Sequence, residues 1–269
     1  MLADAVKSIR AANSYRYGQR FRPQHHFRGG ETMKAWQEEQ IQSLLSSASA
    51  ADLFQQLTVM ARELGFDYCA YGIRMPLPIS APKTEMFNNY PRVWQKYYQE
   101  QNYLAVDPTV KQGGLSTMPF VWSDELFAPA RNLWEDAKAH GLEYGWAQSC
   151  RDVQGISGML TLSRSHEDLS GSELRDKTPE MSWLVQLAHF GMARRLTSKL
   201  LPEAEVTLSQ REVEVLRWTA EGKTSGEVAD ILRIAERTVN FHITNAVIKL
   251  NASNKTAAAI RASVLGLLY

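Results

Sequence analysis

Residues Ser209–Leu267 decide the fold of the C-terminal part of this chain, and they read SQREVEVLRWTAEGKTSGEVADILRIAERTVNFHITNAVIKLNASNKTAAAIRASVLGL. Two capping boxes, Ser209–Glu212 and Thr224–Glu227, each predict a helix start, because hydroxyl and carboxylate satisfy free backbone N–H groups reciprocally. Gly222 suits the end of the first helix. A three-residue turn at 233–235 precedes a third segment with apolar residues every three or four positions. The second and third helices therefore predict a helix-turn-helix within a four-helix, all-α domain.

The outer face of the third predicted helix is polar and suits contact with DNA. Amide and hydroxyl groups can read base edges in a major groove, whereas basic side chains position a domain through phosphates. The face consists of Arg237, Thr238, Asn240, Phe241, Thr244, Asn245, Ile248 and Lys249. The candidate phosphate contacts are Lys223, Thr224, Arg237, Lys249 and Lys255. The alternative interpretation is a small helical bundle with a solvated polar face.

The segment GKTSGEVADILRIAERTVNFHITNAVIKLNASNKTAAAI, residues 222–260, resembles the DNA-binding domain of LuxR-type transcription factors. The similarity is closest to the branch that responds to acyl-homoserine lactones. It implies that Asn240, Phe241 and Thr244 occupy base-contact positions. The family commonly has Ser where Ala235 stands, and loss of that helix cap costs on the order of 1 kcal/mol.

Charge is balanced along the chain, so DNA binding depends on local placement of basic residues. The 269 residues suggest two domains and carry a formal net charge of +1. From Thr207 onward, eight Lys and Arg face six Asp and Glu, a balance of +2. We therefore expect dimerisation to strengthen DNA binding. Cys69 and Cys150 have no metal-site spacing and suit a reducing cytoplasm, and no apolar run approaches the ~18 residues of a membrane span.

The N-terminal part alternates helical and extended patterns. Helical patterns occur between residues 35 and 64, and strands are predicted at 66–73, 85–88, 120–122, 144–150 and 158–163. Further helices are predicted from Pro91, from Asp107, at 133–140 and at about 170–198. This order predicts an α+β fold, an α/β/α sandwich with an antiparallel sheet, joined to the C-terminal helical domain.

One aromatic stretch, NNYPRVWQKYYQEQNYLAVDPTV at residues 88–110, has the composition of a binding site. Trp94 and Tyr98 share a helix face, Tyr90 precedes the helix and Asp107 follows it. Buried indole N–H, phenol and carboxylate groups need partners, which suits a small ligand with an amide and carbonyls. Spacing alone favours the alternative, an aromatic core cluster in which Asp107 caps a helix.

The pattern W-x-x-x-Y, Asp-Pro and then Trp122 resembles the signature of acyl-homoserine-lactone-binding domains over roughly residues 53–163. The resemblance implies that Trp94 donates to the lactone carbonyl and that Asp107 accepts the ligand amide N–H. Tyr90 and Thr161 would donate to the acyl-amide carbonyl. The remaining implied contacts are Tyr98 along the acyl chain, Trp122, Trp134 and Ala137 at the lactone end, and Ala70, Gly72, Val110 and Met159 around the tail.

The sequence does not define the acyl-chain length or the ligand's 3-oxo preference. Trp146 is bulky where smaller residues are common. If it faced the tail channel, it would select a short or medium acyl chain. If it faced solvent, it would not affect the length of the acyl chain.

We expect the resemblance to divide the chain into four parts. Residues 1–32 are an extension that is either disordered or a mis-assigned start, since the segment from Met33 resembles a family start and nothing resembles a signal peptide. A basic arm that adds non-specific DNA affinity is the alternative. An autoinducer-binding domain at 33–199, a linker at 200–206 and a helix-turn-helix domain at 207–269 follow.

These features together predict a cytoplasmic, homodimeric quorum-sensing transcription factor that binds an acyl-homoserine lactone and double-stranded promoter DNA. RNA polymerase is a further partner if the protein activates; no cofactor, metal or membrane contact is expected. Three alternatives remain: an unpaired receptor for a non-lactone molecule, a phosphorylation-driven response regulator, and an enzyme or binding module acting on the lactone. Catalysis is disfavoured because the sequence lacks a nucleophile elbow, a phosphate loop and a metal-ligand cluster.

Overall fold

A computed structural model describes residues 47–269. The predicted extension at 1–32 and the start of the first helical pattern lie outside the described residues. The N-terminal elements are α1 (Ala50–Glu63), β1 (Tyr68–Arg74), β2 (Thr84–Asn88), α2 (Arg92–Glu100), α3 (Pro108–Leu115), β3 (Phe120–Val121), α4 (Arg131–Ala139), β4 (Tyr144–Arg151), β5 (Ser157–Arg164) and α5 (Gly171–Leu200). The C-terminal elements are α6 (Gln210–Ala220), α7 (Ser225–Leu232), α8 (Glu236–Lys249) and α9 (Lys255–Val264).

The five strands form one antiparallel sheet in the order β2-β1-β5-β4-β3. In this sheet, Ala70 of β1 lies opposite Thr161 of β5, and Thr161 lies opposite Ala147 of β4. Directly opposed residues point to the same side of a sheet, and successive residues point to opposite sides. The register therefore decides which side chains share a face, and the predicted α+β class with an antiparallel sheet is confirmed.

One face of the sheet is covered by α1 and α5 and forms the main apolar core. Tyr71 and Ile73 of β1 are buried there, together with Leu57 of α1 and Leu184 of α5. Trp146 belongs to the same cluster and is 1% exposed. Trp146 therefore faces neither the tail channel nor solvent, the two alternatives considered, because its side chain packs in the core on the sheet face opposite the cavity.

The other face of the sheet is covered by α2, α3, α4 and the turns between them, which complete the three-layer sandwich. A second apolar cluster there contains Trp94, Tyr103, Phe127, Leu133 and Trp134. Only part of this face is filled by side chains, because β1 contributes the small residues Ala70 and Gly72 to it. The unfilled part is the cavity described below.

The C-terminal helices form the predicted helix-turn-helix. Both capping boxes are present: the side chains of Ser209 and Thr224 accept from the N–H groups of Glu212 and Glu227, and both carboxylates bond back. The turn between α7 and α8 passes through Arg233, which has the left-handed φ of 55°. The N-cap Ala235 makes no side-chain bond, so the cap missing from the sequence is also missing in the structure.

The C-terminal helices pack against the N-terminal domain at the β4–β5 turn. A 3₁₀ turn, Pro202–Glu205, follows α5 within the predicted linker, and the Gln154 amide donates to the Ala204 carbonyl at 3.3 Å. Gly266 has φ +68°, and a Cβ atom there would lie 2.3 Å from the Val153 carbonyl oxygen. This close approach explains a glycine at position 266. No helix within residues 47–269 is long and apolar enough to cross a membrane.

An ion pair joins the sheet to the start of α5. The guanidinium of Arg164, whose side chain is 5% exposed, donates to both carboxylate oxygens of Glu173 at 2.8 and 2.9 Å. These bonds lower the pKa of Glu173 from 4.5 to about 2. The unfolded chain therefore binds this proton more tightly, so the pair stabilises the fold above pH 4.5 and the contribution is lost as pH falls towards 2.

We expect Glu173→Gln to lower the free energy of unfolding at neutral pH by about 3 kcal/mol, because the buried guanidinium of Arg164 would keep its backbone carbonyl partners but lose its carboxylate. Asp176→Asn, which removes an exposed carboxylate from the same helix, serves as the control and should have little effect. Urea denaturation across the acid range is the measurement. Equal pH dependence of the two variants would contradict this role for Glu173.

Candidate functional site

The cavity between the open sheet face and helices α2–α4 has a volume of about 280 Å³. It brings together residues from β1, α2, α3, α4 and β5 that are far apart in sequence. Of the twelve predicted ligand-binding residues, eleven line it: Ala70, Gly72, Tyr90, Trp94, Tyr98, Asp107, Val110, Trp122, Ala137, Met159 and Thr161. The structure thus places these residues at one site, and their contact with a ligand stays a prediction.

Asp107 combines two tasks at one end of the cavity. Its Oδ1 accepts from the backbone N–H and the hydroxyl of Thr109 at 2.8 and 2.6 Å, which caps α3. Its Oδ2 accepts from the Tyr98 hydroxyl at 2.8 Å. The helix-capping interpretation is therefore right, yet the carboxylate also lines the cavity. Because a carboxylate oxygen accepts more than one hydrogen bond, Oδ2 can also accept from a ligand.

Two tryptophans, Trp94 and Trp122, also line the cavity. Trp94 is 3% exposed and packs edge-on against Tyr98 at 5.7 Å between ring centroids. Residues 47–269 supply no acceptor for its N–H. The indole N–H of Trp122 is also buried without a partner among them. Buried donors without acceptors are costly, so this end of the cavity suits a ligand that carries carbonyl oxygens.

Tyr90 and Tyr98 keep their protons in this environment. Burial is the main cause that raises the pKa of both hydroxyls well above the usual value, and the nearby Asp107 carboxylate adds to it. Both phenols are therefore hydrogen-bond donors at neutral pH. The Gln95 side chain donates to the Tyr90 carbonyl at 2.7 Å, which links Tyr90 to the first turn of α2.

The rest of the cavity is a channel along β1 and β5 with small or flexible residues. A Cβ atom added to Gly72 would meet nothing within 4 Å, so this strand position is open space. A Cβ atom on Gly113 would lie 2.6 Å from the Met159 sulfur. Gly113 of α3 therefore lets the Met159 side chain lie across the channel, where its flexibility suits an apolar tail.

Trp134 is the predicted residue that does not line the cavity. Its ring stacks on Phe127 at 4.4 Å and its indole N–H donates to Asp124. Phe127 lies between Trp134 and the cavity and is one of the lining residues that sequence reasoning missed. The others with apolar side chains include Leu104, Leu133 and Leu142. An alternating or helical apolar pattern also describes ordinary core residues, so these had no distinguishing signal.

The outer face of α8 is accessible in the described structure. Arg237, Thr238, Asn240 and Thr244 are exposed, and the exposed fraction of Phe241 is 60%. The Ser225 hydroxyl at the start of α7 donates to Oδ1 of Asn240 at 2.8 Å. That bond orients the amide and leaves its NH₂ group for another acceptor, such as a base edge.

The candidate phosphate contacts divide into two groups. Lys255 lies in the exposed first turn of α9, and Thr224 is exposed at the cap of α7. Lys249 instead donates to Glu212 at 2.8 Å and to the Thr207 carbonyl at 3.3 Å. Glu212 is 3% exposed, so Lys249 neutralises a buried carboxylate of the α6 capping box. This internal pair argues against the predicted phosphate contact of Lys249.

The two halves of the chain match two known domain families. Residues 49–190 match the autoinducer binding domain, and residues 206–262 match the LuxR family of bacterial regulatory proteins. Together with the cavity and the helix-turn-helix, these matches define an autoinducer-binding transcriptional regulator. The chain belongs to the LuxR family of quorum-sensing regulators, whose members act on transcription rather than as enzymes.

Two relatives are similar to this chain in sequence or structure over 88% of its length. The transcriptional activator protein AnoR of Acinetobacter nosocomialis is 48% identical over 88% of this chain and 100% of its own length. The crystal structure of Escherichia coli SdiA matches with a TM-score of 0.76 at 36% identity, covering 88% of this chain and 99% of SdiA. A complex of SdiA with octanoyl-rac-glycerol matches with a TM-score of 0.74, 36% identity and coverage of 88% and 97%.

Lys249 and Lys255 should respond differently to loss of charge. We expect Lys255→Gln to reduce the slope of log affinity against log salt for duplex DNA by about 1, because one phosphate contact is lost. Lys249→Gln should leave the slope unchanged and lower the free energy of unfolding by about 2 kcal/mol, because Glu212 stays buried without its cation. Salt titrations measure the slope and urea denaturation measures the free energy of unfolding. A changed slope for Lys249→Gln would support a phosphate contact by Lys249.

Proposed function

We propose that this protein binds an N-acyl-homoserine lactone in the cavity and, as a cytoplasmic homodimer, binds promoter DNA through α8. The main observation that supports a lactone ligand is a free hydrogen-bond donor and a fixed acceptor at the same end of the cavity. Trp94 offers an indole N–H and Asp107 offers a carboxylate held by Tyr98 and Thr109. An apolar channel leads away from this pair, as a molecule with a polar head and one acyl tail requires.

Each polar group of the lactone then has a partner of opposite character. Trp94 donates to the lactone carbonyl, Asp107 accepts the amide N–H, and Tyr90 and Thr161 donate to the acyl carbonyl. The tail lies against Gly72, and each CH₂ group buried there contributes about 0.8 kcal/mol.

Ligand binding is coupled to DNA binding through stability and dimerisation. A ligand that occupies the cavity stabilises only the folded state. The stabilised domain dimerises through α5, which exposes the large apolar side chain of Phe190. The two copies of α8 then bind the two half-sites of a two-fold symmetric operator, and the geometry of the dimer sets the distance between the half-sites. Where the protein activates a promoter, the DNA-bound dimer contacts RNA polymerase.

A second candidate ligand is an acylglycerol. The relative SdiA was solved in complex with octanoyl-rac-glycerol, whose glycerol head offers hydroxyl groups instead of an amide. Such a head can also donate to Asp107 and accept from Trp94, so an unpaired receptor for a non-lactone molecule is the alternative function.

The lactone proposal predicts selective recognition of the amide N–H. A medium-chain acyl-homoserine lactone should raise the unfolding temperature and bind about tenfold more tightly than the analogue with an ester oxygen in place of N–H. Asp107→Asn should abolish this preference, because Asn still caps α3 but can turn its NH₂ group towards the ligand. Calorimetry with both compounds and octanoylglycerol is the measurement. Stabilisation by octanoylglycerol alone would favour the alternative.

The proposal that α8 reads DNA predicts that a substitution in α8 reduces the sequence specificity of DNA binding. Asn240→Ala should relax base preference at one position of each half-site and reduce affinity for the selected site by roughly tenfold or more. Lys255→Gln is the matched control, since it should weaken all sequences about equally. Selection from a randomised duplex pool, performed with both variants, is the measurement. An unaltered preference in Asn240→Ala would refute the assignment of this residue.

A further inference from the structure

Two arginines lie in one row across the sheet at the end of the cavity away from Ala70. Arg74 of β1 and Arg151 of β4 are both directly opposite Ser157 of β5. All three residues line the cavity. Ser157 is four residues from Thr161 along β5, about 13 Å, so this row is well separated from the polar groups that lie near Thr161.

The charges of this row are not balanced by the protein. Arg151 donates from Nε to the Ser157 hydroxyl at 3.2 Å, and the residues described by the structure give neither guanidinium an ion pair. Glu85 of β2 is a carboxylate that also lines the cavity, but in the register it lies opposite Ile73 and not opposite Arg74. Its carboxylate approaches Lys199 of α5 at 3.8 Å, so it does not neutralise the arginine pair.

The backbones of the two arginine-bearing strands are about 10 Å apart, since one strand lies between them. Long arginine side chains can therefore converge on one group above Ser157. Guanidinium groups bind carboxylates through paired, charge-assisted hydrogen bonds. Both arginines are exposed, so a bound carboxylate keeps part of its hydration and its desolvation cost is small.

We propose that the row Arg74–Ser157–Arg151 is a carboxylate subsite, through which the cavity binds a linear medium-chain fatty-acid anion. The carboxylate sits between the two guanidiniums, and the chain runs along Gly72 and Met159 towards the aromatic end. This orientation is the reverse of the one proposed for a lactone, and it uses neither the Trp94 N–H nor Asp107. The inference rests on the proposed role of the cavity as a ligand site, but not on the lactone, and it makes the two ligands competitors for one channel.

The test compares decanoate with decanol, which has the same chain without the negative charge. Full-length protein at pH 8 should bind decanoate at least tenfold more tightly than decanol by isothermal titration calorimetry. The double variant Arg74→Gln with Arg151→Gln should lose this preference. The matched control, Arg92→Gln with Arg131→Gln, removes two exposed arginines that do not line the cavity and should retain it.

The acyl-homoserine lactone is titrated into the same variants to show that the cavity is intact. We expect the subsite variant to bind it within about threefold of wild type, and decanoate to weaken lactone binding to wild-type protein. Equal affinity for decanoate and decanol, or unchanged decanoate binding in the subsite variant, would overturn the proposal. Lactone binding without decanoate binding rejects this inference alone, whereas decanoate binding without lactone binding rejects the lactone assignment and leaves the subsite.

Discussion

The alternation of side chains across the five-stranded sheet is the constraint on which the ligand-binding half depends. The same strands bury Tyr71 and Ile73 against α1 and α5 on one face and present Ala70 and Gly72 to the cavity on the other. A shift of one residue in the register would exchange the two sets. The cavity therefore exists because the core face is filled by large side chains while β1 supplies small ones to the opposite face.

At the polar end of the cavity, the same side chains stabilise the fold and line the ligand site. Asp107 holds the start of α3 through Thr109 and is itself held by the buried phenol of Tyr98. A carboxylate fixed by neighbours loses little freedom when a ligand binds, which favours affinity and selectivity. The capping and ligand-binding interpretations of Asp107 are compatible, because a carboxylate has enough acceptor positions for both.

The helix-turn-helix is the part of the structure that the sequence predicts best. Capping boxes and helix spacing are local properties, and the structure forms both boxes where they were predicted. Individual side chains that have distant partners are predicted less well. Lys249 looked like a phosphate contact, but it pairs with Glu212, which is 37 positions away in the chain. The sequence left open whether Trp146 faces the channel or solvent, and it packs in the core instead, because only the register of β4 decides its face.

The sequence by itself determined the family, the order of elements and eleven of the residues that line the cavity, because these are carried by local motifs and by resemblance. Only the tertiary structure decided that Trp134 lies behind Phe127 and that Arg74 and Arg151 meet across Ser157. These contacts join residues from separate strands and helices, so no spacing within one segment can reveal them. Their positions follow from strand register and packing, which require the whole chain.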